Sequence, residues 1–103
     1  MNTLESKKAL DIKAFDVSKT SKVVDCVIIC SGDTTPHLVG MEREIDKILK
    51  SNRILGFRWQ GIVASGWVLL DLGSIVVHIL RSAEREYYNL EELWEKDAIV
   101  YHY

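Results

Sequence analysis

The chain has 103 residues, 48% hydrophobic and 27% charged, with one proline, six glycines and no biased tract. These values fit a single domain that buries on the order of 65% of its unfolded surface, and they exclude multidomain, collagen-like and low-complexity architectures. Thirteen basic against fifteen acidic side chains give a formal charge of −2 and a pI near 5.9. That balance argues against direct binding to DNA or RNA, which normally needs a basic excess.

The charge is unevenly spread. Residues 1–60 carry ten basic and eight acidic groups, whereas 61–103 carry three basic ones (Arg81, Arg85 and Lys96) against seven acidic. An acidic face suits a basic protein surface, where complementary fields raise the association rate and fix orientation. The apolar runs Cys26–Cys30 and Trp67–Leu70 fall far short of the roughly 20 residues of a membrane-spanning helix. Met1–Leu10 is polar, contains Lys7 and Lys8, and lacks the apolar core of a signal peptide. The expectation is a cytoplasmic protein with no membrane partner. Cys26 and Cys30 lie four apart in an apparent strand, so about 13 Å would separate them, too far for a disulfide or a shared metal. Both are expected to be buried, reduced thiols.

Asp11–Val17 alternates imperfectly through Ile12, Ala14, Phe15 and Val17 and predicts a first strand, left through the polar Ser18–Lys22. Val23–Cys30 is apolar and largely β-branched apart from Asp25, which predicts a strand covered on both faces and central in its sheet. Ser31-Gly32-Asp33-Thr34-Thr35-Pro36 combines turn residues with a helix start, with Thr34 or Thr35 as N-cap and Pro36 near the first helical position. Leu38, Met41, Ile45, Ile48 and Leu49 then recur mostly at spacings of three and four, the pattern of an amphipathic helix lying on the sheet. Ser51-Asn52 and Gly56 end that helix.

Phe57–Ala64 predicts a short strand that Gly61 weakens. Trp67–Leu70 and Ile75–Leu80, separated by Asp71-Leu72-Gly73-Ser74, predict an antiparallel hairpin with Gly73 free to adopt positive φ. Ser82–Trp94 predicts short helical turns, with Tyr87, Tyr88, Leu90, Leu93 and Trp94 packing back on the sheet. The chain therefore reads as one α/β domain over 1–103, a mixed sheet with helices packed on it.

A turn such as Ser31-Gly32 before a helix invites comparison with nucleotidyl transferases, but their two-metal chemistry needs paired carboxylates to hold Mg²⁺. No Asp-x-Asp or Asp-x-Glu stands on a candidate strand; Asp25 and Asp71 are single. Asp33 would repel an anion at the helix start. His37, His78 and His102 are scattered without metal-ligand spacing, and Ser31 lacks a nucleophile-elbow context. Neither an enzyme nor a cofactor is expected. Tyr87, Tyr88 and Trp94 read either as core or as a stacking platform, and the acidic surroundings favour core.

Three segments carry a more specific likeness: Asp16-Val17-Ser18; Asp25-Cys26-Val27-Ile28-Ile29-Cys30-Ser31-Gly32; and Trp67–Leu80 followed by Arg85-Glu86-Tyr87-Tyr88-Asn89-Leu90-Glu91-Glu92-Leu93-Trp94. In order and spacing they resemble the ribosomal silencing factor family, RsfS or Iojap-like, over about residues 11–94. The resemblance implies a nucleotidyltransferase-like core without catalytic carboxylates. It also implies a non-enzymatic translation repressor that binds the large ribosomal subunit through large-subunit ribosomal protein fourteen and blocks subunit joining when nutrients are scarce. A role in large-subunit assembly and a homodimer are further implications. A nucleotide-binding or nucleotidyl-transfer protein on the same fold is the alternative from a different class.

By motif position the resemblance assigns the partner surface, or its immediate support, to Trp67, Asp71, His78, Arg85, Tyr88, Glu91 and Trp94. Glu91 is the member most expected to face a basic partner. Arg85 reads alternatively as a surface ion pair with Glu84 or nearby acids, and Asp71 as a cap on its own turn. Gln60 and Ser74 stand where the family commonly has acids, each removing one negative charge.

Overall fold

A computed structural model describes residues 10–19, 24–54, 56–62, 65–93 and 99–102. It contains β1 (Leu10–Asp16), β2 (Cys26–Gly32), α1 (Thr35–Ser51), β3 (Arg58–Ile62), β4 (Trp67–Asp71), β5 (Ile75–Arg81), α2 (Ser82–Tyr88), a 3₁₀ turn (Leu90–Leu93) and β6 (Ile99–His102). The six strands form one mixed sheet in the order β3-β4-β5-β2-β1-β6. Only β2 and β5 run parallel, joined by a crossover that contains α1, β3 and β4. The apolar β2 run is central, as its composition predicts, between β5 and β1.

Each strand presents alternate side chains to opposite faces, so the pairing registers divide the core in two. On one face Ile12, Cys30, Val68, Leu70, Val77 and Ile79 meet Leu38, Met41 and Ile45 of α1. On the other, Phe15, Val17, Val27, Ile29 and Leu80 form a second cluster, with Trp67 and Leu90 packed against it. Burying a side chain of this size contributes about 1.5–3 kcal/mol, so the stripe along α1 outweighs any helix propensity in fixing the helix on the sheet.

Local signals set the helix ends. Thr34 is extended (φ −135°, ψ 163°) and its Oγ1 accepts the His37 N–H at 3.3 Å, with Pro36 in the first turn where a missing N–H costs nothing. At the other end the expected glycine is not the residue used. Arg53, at φ 58°, takes the left-handed position and donates to the Lys50 carbonyl, while the Ile54 N–H reaches Leu49. This is the paired C-terminal closure of a Schellman motif, built on an arginine.

The hairpin turns as predicted: the Asp71 carboxylate accepts the Gly73 N–H at 2.9 Å, and Gly73 sits at φ 89°. Gly61 does not prevent β3 from pairing with β4. It adopts φ 88°, where a Cβ would lie 2.6 Å from the Trp67 carbonyl oxygen, so glycine is what allows the strands to approach there.

Four expectations need correction. Ser31-Gly32 is not a turn but the end of β2, which starts at Cys26 rather than Val23 because Val24 and Asp25 form the approach to the strand. Cys30 is buried, but Cys26 at the strand start is only half-buried. Tyr87 and Tyr88 do not pack into the core; they are 81% and 51% exposed, because α2 turns only Arg85 fully inward. The predicted elements stop at Trp94, but the chain beyond it contains β6, which pairs with β1 and completes the sheet.

Candidate functional site

The registers place three rows of side chains across the face opposite α1. One row runs Lys13, Ile29, His78, Leu69, Gln60; the next contains Ser31, Leu80 and Trp67; the third runs Phe15, Val27, Val76, Asp71, Arg58. The second cluster, α2 and the 3₁₀ turn cover the β1–β2 side of this face. Among the described residues no helix covers the β3–β4 side, and an apolar groove of about 290 Å³ lies there between Gln60, Gly61, Ser65, Trp67 and Leu69.

At the boundary stands an aromatic cluster. Trp67 is half-buried over Leu80, and its indole N–H donates to His78 Nδ1 at 3.2 Å. The two rings lie 5.9 Å apart, as expected for diagonal neighbours on paired strands. Tyr88 packs on Trp67 at 5.1 Å, and Tyr87 meets Tyr88 edge to face at 5.0 Å. Burial holds the His78 ring below the usual histidine pKa.

Beside it lies a polar brace. The buried Arg85 guanidinium donates from Nε to Glu91 at 2.8 Å and from Nη1 to the Ser31 hydroxyl at 2.9 Å. Lys13 Nζ reaches the other Glu91 oxygen at 2.6 Å. Burial works against the Glu91 charge, but the hydrogen bonds and charges of Arg85 and Lys13 outweigh it and hold the carboxyl below its ordinary range. A depression of about 440 Å³ opens over this brace, lined by Ser31, Ser82, Arg85, Glu86, Asn89 and Glu91. A second tie ends β5: Arg81 donates to Glu84 at 2.7 Å and to Thr35 Oγ1 at 3.1 Å, and its backbone N–H to the carbonyl of Gly66, next to Trp67.

Six of the seven residues singled out by sequence thus fall on one side of the sheet, in three groups. Trp67 touches both His78 and Tyr88. Arg85 and Glu91 pair with each other, so Glu91 is engaged within the molecule. Asp71 stands apart at the hairpin turn, where it caps Gly73. Trp94 lies outside the described residues.

The surface pairing of Arg85 with Glu84 is corrected: Glu84 belongs to Arg81, and Arg85 points inward at 9% exposure. The seven residues did not include Lys13, Ser31 and Tyr87. Ser31 stood in the Ser31-Gly32 pair weighed as a turn, but nothing local in it or in the strand residue Lys13 pointed to Arg85 or Glu91. Among the described residues no three His, Cys, Asp or Glu side chains converge on a metal-sized site, and no helix is long and apolar enough to cross a membrane.

Comparison with known proteins matches residues 1–102 to the family model for the ribosomal silencing factor during starvation, RsfS. The Ribosomal silencing factor RsfS of Bacillus subtilis is 40% identical over 90 residues, 87% of this chain and 76% of that protein. A mouse protein named Mitochondrial assembly of ribosomal large subunit protein 1 is 31% identical over 91% of this chain, which spans 42% of the mouse protein. The fold agrees as well: a crystal structure of a protein from Chromobacterium violaceum superposes with a TM-score of 0.82 at 31% identity, covering 90% of this chain and 78% of that one. Sequence and fold together place this chain in the RsfS family of ribosomal silencing factors.

Proposed function

We propose that this protein is a translation repressor that docks on the large ribosomal subunit through large-subunit ribosomal protein fourteen and sterically blocks joining of the small subunit. The observation that carries the reading is the Trp67–Tyr88–Tyr87 cluster beside an open apolar groove, in a member of the silencing-factor family. Exposed aromatics grouped at the edge of an apolar patch are the usual anchors of a protein interface. The exposed Glu86 of α2 and Glu92 of the 3₁₀ turn add the acidic rim that a basic ribosomal protein would meet.

The mechanism is occlusion. An interface of roughly 800 Å² per partner suffices, and no side chain performs chemistry. The brace of Arg85, Glu91, Lys13 and Ser31 fixes the α2 segment that carries Tyr87 and Tyr88. A nucleotidyltransferase-like core without catalytic carboxylates is part of this reading. Self-association through the same aromatic face would compete with docking.

Sedimentation of purified subunits tests the proposal. Wild-type protein is expected to travel with the large subunit and to shrink the joined-ribosome peak, and a Trp67→Ala, Tyr88→Ala double variant to remain at the top of the gradient. Wild-type protein that stays at the top while subunits join normally refutes it. The name of the mouse relative favours one second reading, assembly of the large subunit. In that case the protein would be found on immature large-subunit particles and would leave joining of mature subunits unchanged.

A further inference from the structure

We propose that His78 is a proton-operated latch on Trp67: the neutral imidazole holds the indole in place, and the protonated ring releases it. This deepens the docking reading above, on which its consequence for binding rests.

An indole nitrogen can only donate, and both nitrogens of an imidazolium are donors as well. The 3.2 Å contact from Trp67 Nε1 to His78 Nδ1 therefore exists only while Nδ1 is unprotonated, and it puts the proton of the neutral ring on Nε2. A proton added at Nδ1 sets two N–H groups against each other and removes the only acceptor the contact has.

Among the described residues, the charged groups around the ring are held by other partners or lie further along the face. His78 is 9% exposed, and its neighbours in the cross-sheet row are Ile29 of β2 and Leu69 of β4. On β4 the nearest acid of the same face is Asp71, two residues beyond Leu69 and engaged in its turn. From α2, Tyr88 lies against Trp67, and Arg85 is bonded to Glu91 of the 3₁₀ turn. From β1, Lys13, two strands away in the same row, holds that same Glu91. From β3, Arg58 lies at the far end of the face; on β5 itself, Arg81 is turned to Glu84 and Thr35. Burial among apolar neighbours shifts the ring's titration below 6.5, so the latch is closed at neutral pH and opens in acid. Trp67 and Tyr88 pack as one unit, so release of the indole loosens the aromatic cluster.

The direct test is a pH series of ¹⁵N–¹H spectra of the full chain from pH 7.5 to 5, following the indole N–H signals, with Trp67 assigned by its loss in Trp67→Phe. The expected result is a one-proton shift of the Trp67 indole signal with a midpoint below 6.5, matching the His78 ring signals. In His78→Asn, whose side-chain oxygen accepts without titrating, that signal is expected to stay constant. A Trp67 signal that does not move in the folded wild type, that moves identically in His78→Asn, or that changes only on unfolding overturns the latch. The wild-type series decides the matter even if His78→Asn does not fold. A second arm measures co-sedimentation with large subunits at pH 7.5 and 5.5. Wild type is expected to lose at least threefold in bound fraction and His78→Asn to lose none; equal losses overturn the regulatory part. Absence of binding at both pH values refutes the docking reading and leaves the indole arm to judge the latch.

Discussion

Arg85→Ala should be strongly destabilising although it removes no apolar side chain from the core. The Arg85 side chain is 10% exposed and makes hydrogen bonds of 2.8 Å to Glu91 and 2.9 Å to Ser31, which is itself 2% exposed. Hydrogen bonds to a charged group contribute about 1.5–3 kcal/mol each, and removing one partner leaves the other desolvated. Glu91 keeps Lys13 at 2.6 Å, which offsets part of the loss, so about 3 kcal/mol is expected rather than the upper end for a fully buried pair. Against a typical total stability of about 5–15 kcal/mol this is a large fraction. Urea unfolding at pH 7 should show the midpoint falling by more than about 1 M with an unchanged slope. Arg85→Lys should recover only part, because an ammonium cannot span Glu91 and Ser31 as the planar fork does. Lys50→Ala is the control: its pair with Asp46 is 2.9 Å long but Lys50 is 67% exposed, so less than about 0.5 kcal/mol should be lost. Arg85→Ala within about 0.5 kcal/mol of wild type would refute the view that Arg85 braces α2 against the sheet.

Arg53→Gly should raise stability by about 0.5–1 kcal/mol, because glycine relieves the left-handed strain at the helix end at the cost of some unfolded-state entropy; urea unfolding reads the gain, and a loss would contradict it. Thiol titration of the native protein should find Cys30 unreactive, since burial pushes its pKa up to about 12, while the half-buried Cys26 reacts slowly and both react rapidly in urea. Stability should fall as the medium becomes acidic, in two stages that a series of urea curves from pH 8 to 3 would separate. His78 has a folded pKa below its unfolded 6.5, so its contribution is complete above 6.5 and is lost as pH falls through the folded value. Glu91 is likewise depressed, so its contribution is present above 4.5 and is lost on further acidification, a stage that Glu91→Gln should reduce.

Elements whose instructions are local could be read from the chain. The β-branched run of β2, the three-and-four spacing of α1 with its threonine cap, and the Asp71–Gly73 turn each depend on contacts within a few residues, and all three form as their patterns require. Segment order and spacing were also enough to show the family resemblance. The path of Arg85 was not legible, because Ser31 lies 54 residues away, and Lys13 meets Glu91 across 78. Nor was the exposure of Tyr87 and Tyr88, whose helix is too short for periodicity to reveal which side faces the sheet. Propensity, spacing and capping act over a turn or a strand, so they determined the kinds of element and their ends. Strand order brought β1, β2, α2 and the 3₁₀ turn together, so the tertiary structure alone decided that one arginine is buried and that the neighbouring aromatics are exposed.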